Sequence, residues 1–162
     1  MKARISDPVD AARLPDGAGP PRLIVCESTG RWAVALRRDL AEPWPLSETR
    51  SVAECWELLA KVPASFVVVE VTSAHLQTLL DRMAWWERDF PLARLAAVAD
   101  QESAPYQWLL REAGAVHVAL SCRHLRPLVD LALRHLGQIP LPQRTLVEQI
   151  WAGLPWATGS SP

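Results

Sequence analysis

Between residues 22 and 138, short apolar runs alternate with stretches of helical periodicity. Arg22 to Cys26 is the first apolar run. Ser65 to Val71 (Ser-Phe-Val-Val-Val-Glu-Val) is the second and is rich in β-branched residues, and Leu92 to Val98 and Val116 to Leu120 follow. Runs this short, apolar on both faces, suit strands buried in a parallel sheet. A weaker strand over Leu46 to Arg50 fits a sheet edge. The helical stretches between them carry their own signals. The segment from about Thr29 to Leu40 buries Trp32 or Ala33, Leu36 and Leu40. Ser51 and Glu54 form an S-x-x-E capping box, and Val52, Cys55, Trp56 and Leu59 then make one buried stripe. Ser73 opens a longer helix with the stripe Leu76, Leu79, Leu80, Met83, Trp86 and Phe90. Trp85, about 100° round the helix from Trp86, falls on its polar face with Thr78, Asp81 and Arg88. Ser103 and Pro105 open a further helix that ends at Gly114, and a last one runs from His124 or Arg126 to His135, with Gly137 after it.

The order is therefore βαβαβαβαβα. Parallel neighbours need right-handed crossovers, which place helices on both faces of the sheet. The pattern predicts an α/β fold: a flavodoxin-like, doubly wound, five-stranded parallel sheet of order 2-1-3-4-5. In such sheets function gathers at the carboxyl ends of the strands, here Cys26 to Gly30, Glu70 to Ser73, Ala99 to Gln101 and Ser121 to Arg123. Residues 1–21, with four prolines and two glycines, read as a flexible leader. Residues 139–162 read as a proline-rich tail whose short amphipathic stretch (Leu146, Ile150, Trp151) is expected to pack on the domain.

Composition narrows the function. The chain has 162 residues, 49% hydrophobic and 22% charged, with a formal net charge of −1. That is the make-up of one globular domain. No basic run makes a case for nucleic acid or an anionic membrane, and no apolar stretch is long enough to span a bilayer. Three widely spaced cysteines, Cys26, Cys55 and Cys122, form neither a disulfide framework nor a zinc motif, and reduced thiols in the cytoplasm fit them better. The four histidines are scattered and none is assigned to a metal. Eight tryptophans against one tyrosine and two phenylalanines stand out; Trp85 is the candidate to contact a partner.

The strand ends resemble those of a response-regulator receiver domain, the CheY-like family, over 22 to 138. Leu23-Ile24-Val25-Cys26-Glu27 is similar to the family's first strand, Phe66-Val67-Val68-Val69-Glu70 to its third, Ala96-Ala97-Val98-Ala99 to its fourth, and Ala113-Gly114-Ala115 through Ser121 to its Ala-Gly-Ala turn and fifth strand. The resemblance implies a place in two-component, phosphorelay signal transduction. It also marks five degenerate phospho-site positions. Cys26 and Glu27 stand for the paired acids that help hold Mg²⁺, Glu70 for the phosphorylated aspartate, Ala99 for the switch hydroxyl and Ser121 for the lysine. A thiol is a poor ligand for a hard cation, Glu70 is one methylene too long, and Ala99 and Ser121 supply neither hydroxyl nor charge in those roles. The expectation is a receiver that is not phosphorylated, is not an enzyme, needs no cofactor or metal, and acts through a protein partner or a homodimer. Glu70 reads either as a solvated carboxylate or as a fixed negative charge. Glu27 beside it is expected to repel it and raise one carboxyl pKa. Asp100 reads as a loop or capping carboxylate. The alternatives are a flavin-binding flavodoxin, for which Glu27-Ser28-Thr29-Gly30 would cradle a phosphate, or another small α/β enzyme.

Overall fold

The computed structural model describes residues 18–40 and 44–139. Five strands, β1 (Leu23–Cys26), β2 (Leu46–Thr49), β3 (Phe66–Val71), β4 (Arg94–Ala99) and β5 (His117–Ala119), form one sheet of order β2-β1-β3-β4-β5. All four pairings are parallel, and Cys26 stands opposite Thr49 on one side and Val69 on the other. The order is the predicted one, because crossovers of a single hand leave the first strand in the interior only if the winding reverses once.

The three central strands are buried on both faces apart from Arg94 at the start of β4. Side chains that alternate along a strand therefore feed two cores. Ile24, Val67, Val69, Leu95 and Ala97 face helices α2 (Val52–Lys61) and α3 (Leu76–Met83) and the short α4 (Trp86–Asp89) and α5 (Gln107–Glu112). Leu23, Val25, Phe66, Val68, Ala96 and Val98 face α1 (Arg31–Asp39) and α6 (Arg126–Gln138).

Helix boundaries follow local chemistry. Ser51 caps α2 by accepting from the Glu54 amide at 3.2 Å, and Glu54 reaches back to the Arg50 amide at 2.9 Å, one residue earlier than a standard capping box requires. Three expectations need correction. The long helix from Ser73 is two pieces: it starts at Leu76 and breaks at Ala84 and Trp85, where the Trp85 amide bonds Arg82 in a tighter turn. The break turns Trp86 inward against Trp56, with ring centroids 5.4 Å apart, edge to face. Pro105 sits in a 3₁₀ turn, Gln101–Tyr106, ahead of α5 rather than in its first α-helical turn. Gly137 lies within α6 rather than past its end. Gly114, at φ +107°, is the left-handed residue that ends the α5 region.

Of the leader, residues 18–21 lie against the domain: the Gly19 amide donates to the Lys61 carbonyl at 3.0 Å and Pro21 is buried. Residues 1–17, and the amphipathic stretch of the tail expected to pack, lie outside the described residues. Among the described residues no helix is long and apolar enough to cross a membrane.

Candidate functional site

β1 and β3 are adjacent and pair Cys26 with Val69, so the next residue of each, Glu27 just after β1 and Glu70 near the end of β3, stand side by side at the carboxyl edge of the sheet. Both are buried, at 2% and 5% exposure. The reading of Glu70 as a solvated carboxylate is therefore wrong. The expected mutual repulsion is offset, because each carboxylate has its own set of donors.

Glu27 turns into the start of α1. Its Oε2 accepts from the Trp32 amide at 2.9 Å and its Oε1 from the Ala33 amide at 2.6 Å. These are two of the amides a helix leaves unpaired at its first turn, and a carboxylate there also meets the positive end of the helix dipole. Gly30 at φ +86° makes the approach possible, since the chain must reverse between Glu27 and Arg31. Gly30 offers no side chain to cap the helix, and Glu27 does so from upstream.

Glu70 turns the other way. Its Oε2 accepts from the Ser28 amide at 3.0 Å and the Ser28 hydroxyl at 2.9 Å. Its Oε1 accepts from Arg31 at 3.1 Å and from the Trp32 indole N–H at 3.2 Å. Burial pushes the Glu70 carboxyl up, but the Ser28 amide and hydroxyl, the Trp32 indole and the Arg31 charge together outweigh it, and the group sits below its ordinary value. The rise expected for one of the two acids therefore does not fall on Glu70.

Arg31 is the residue the sequence reading missed. Its guanidinium spans Glu70 and Asp100, at 3.1 and 2.9 Å, and so ties α1 to the loop after β4. Asp100 is thus an ion-pair partner; it precedes the 3₁₀ turn but makes no side-chain cap. The bond to Asp100, working against some loss of hydration, and then the charge of Glu70 hold the guanidinium above even its usual high value. The available signal was position: an arginine at the first residue of a helix that opens beside two strand-end acids. The Glu70 backbone is fixed as well. A carbonyl only accepts, so His75 Nε2 carries the proton it donates to Glu70 O at 2.9 Å, and in the neutral ring Nδ1 accepts from the Thr72 hydroxyl at 2.9 Å.

The other predicted positions stand apart from these bonds. Cys26 is buried under the site in contact with Cys55 of α2; the hydrogen bond between the thiols and burial both push Cys55 up. Ala99 is fully buried, paired with Val71 one residue beyond Glu70. Ser121 is half-buried, and its hydroxyl accepts from the Arg123 amide at 3.2 Å within its own turn. The loop that would cradle a flavin phosphate has its Ser28 donors turned toward Glu70.

Trp85 lies away from the strand ends, 56% exposed, with the Arg88 guanidinium over its ring at 4.4 Å. It walls a groove of about 440 Å³ with Trp56, Thr78, Asp81, Arg82, Arg88 and Asp89.

Solved structures share this architecture. A response regulator of Thermotoga maritima is 17% identical, with a TM-score of 0.59, over 74% of this chain and 100% of its own. A CheY-like protein of Pseudomonas aeruginosa is 17% identical, with a TM-score of 0.57, over 78% and 100%. A pilus assembly-related protein of Burkholderia pseudomallei is 18% identical, with a TM-score of 0.52, over 79% and 99%. Identities this low speak for the fold, which is receiver-like. No protein-family model matches the sequence, and no curated protein is significantly similar to it.

Proposed function

We propose that this chain is a pseudo-receiver: a receiver-like domain that is not phosphorylated, catalyses nothing, and serves signal transduction as a protein–protein interaction module. One observation carries the reading. All four carboxylate oxygens of Glu27 and Glu70 accept hydrogen bonds from the chain itself, and Arg31 supplies a cation between Glu70 and Asp100.

Phosphoryl transfer to a carboxylate needs an exposed oxygen lone pair and a compact cation, usually Mg²⁺, to offset charge on the transferring group. Here each lone pair that would attack is held by a donor at 2.9–3.2 Å. The donor set does not fit Mg²⁺ either. That ion needs near-octahedral oxygen ligands at about 2.1 Å, and it would have to displace two α1 amides from Glu27 or the guanidinium from Glu70. Cys26 offers sulfur where oxygen is needed. One guanidinium nitrogen of Arg31, Nη2, meets both Glu70 and Asp100, so the charge of Glu70 is balanced in place rather than available to a switch. What remains for function is surface, and Trp85 is the candidate contact with a protein partner or a second copy of the chain.

The test is incubation with acetyl phosphate and Mg²⁺ followed by intact-mass measurement. The mass should stay unchanged. A hydroxylamine-labile gain of one phosphate that Glu70→Gln abolishes would overturn the reading.

A further inference from the structure

We infer that the groove between α2, α3 and α4 is the docking site of the chain's own leader, with Leu14 seated on Trp56 and Trp85. The inference rests on Trp85 being a contact residue, and it adds a regulator: a partner that uses Trp85 competes with residues 1–17.

Position argues for this occupant. The described chain starts at Ala18, and Gly19 is pinned at the carboxyl end of α2 by its bond to Lys61 O; a Cβ on Gly19 would come within 2.9 Å of Val62. Trp56 is five residues back from Lys61 along the same helix, a rise of about 7.5 Å. Leu14 is five residues before Gly19 and reaches up to about 17 Å when extended. Pro15 favours that extension, because a residue before proline is steered away from helical backbone. The other terminal segment starts on the wrong face. The last turns of α6 are held by His135 bonding Ala64 O at 3.2 Å, and α6 packs with Phe66 in the core opposite to Trp56.

Chemistry agrees with position. The groove has an aromatic floor and a charged rim. Arg88 is paired with Asp89, and Asp81 accepts from Gln77, but Arg82 makes no ion pair among the described residues. The leader brings an apolar residue, Leu14, and an acid four residues earlier, Asp10, within reach of that arginine. A tethered segment needs little intrinsic affinity, since a short linker gives an effective concentration in the millimolar range.

Amide hydrogen exchange on the full chain tests this, read over residues 9–14 in the wild type, Leu14→Asp and Trp85→Ala. Trp85 is exposed and belongs to neither core, and unchanged protection of β1 and β3 in both variants serves as the internal control on the fold. Protection of at least about tenfold over random-coil exchange, independent of protein concentration and lost in both variants, is expected. Random-coil exchange of residues 9–14 in the wild type overturns the inference. So does protection that survives Trp85→Ala, which places the leader elsewhere, and so does protection that grows with concentration, which assigns the groove to a second copy. Uptake of phosphate by a chain whose leader is protected would defeat the pseudo-receiver reading and leave the docking intact; an unprotected leader on a chain that takes up no phosphate would do the reverse.

Discussion

Glu70→Gln is the substitution that exposes how the strand-end acids are held. The carboxylate accepts four bonds, from the Ser28 amide and hydroxyl, from Arg31 and from the Trp32 indole. Glutamine keeps one acceptor oxygen. If its amide group faces Arg31 and Trp32, donors meet donors on both. If it faces Ser28, the hydroxyl can rotate and accept, but the Ser28 amide cannot. The second arrangement is the lesser loss: one backbone N–H unmet, at about 1–3 kcal/mol, with weaker bonds on the other side once the charge is gone. Because Ser28 is exposed to water, the unmet amide should count near the lower end, about 1 kcal/mol, and the weakened bonds to Arg31 and Trp32 bring the total to about 2–3 kcal/mol. The effect has a pH signature. Glu70 titrates below its unfolded value of about 4.3. Its contribution is therefore complete above that value and is lost as the pH falls through the lower folded one. Urea unfolding followed by circular dichroism, at pH 7 and in steps down through pH 4, should show the gap between wild type and variant narrowing toward acid. Other carboxylates titrate in both proteins and cancel. A variant within about 0.5 kcal/mol of wild type at pH 7, or a gap that does not change with pH, would refute the reasoning.

Two further substitutions separate core from surface and test the helix start. Trp86→Ala removes a buried ring that meets Trp56 edge to face and Phe90 at 5.5 Å, and should cost about 3–5 kcal/mol in thermal or urea unfolding, whereas Trp85→Ala should change stability by less than about 1 kcal/mol. Glu27→Ala leaves the Trp32 and Ala33 amides without their acceptor, so hydrogen exchange at those two positions should quicken and stability should fall by about 2–4 kcal/mol.

The strands and their order were legible because burial on both faces writes continuous apolar runs, as in Phe66–Val69, and because crossover handedness leaves few topologies. The helix after β3 was misread because its apolar stripe runs unbroken from Leu76 to Phe90. Periodicity cannot report a turn that tightens at Ala84 and then resumes, and the gain that drives it, Trp86 on Trp56, is tertiary. At the site, the positions of Cys26, Glu27 and Glu70 could be placed from the strand ends, but their electrostatics could not. Two neighbouring acids look repulsive when only acids are counted. Their donors are backbone amides, an indole N–H and a guanidinium from the next helix, and none of these carries a motif. Trp32 illustrates the gap: its ring is core, which the pattern implies, while its N–H belongs to Glu70, which no pattern states.

The central claim is that the chain fills its own acidic site. Beryllofluoride with Mg²⁺ imitates an acyl phosphate on a carboxylate, and nitrogen–proton correlation spectra of the full chain report directly on the Ser28 amide and the Trp32 indole N–H, both donors to Glu70. The account predicts that neither resonance moves beyond what an equal ionic strength of sodium chloride produces. Saturable shifts of those two resonances, dependent on both Mg²⁺ and beryllofluoride, would contradict it.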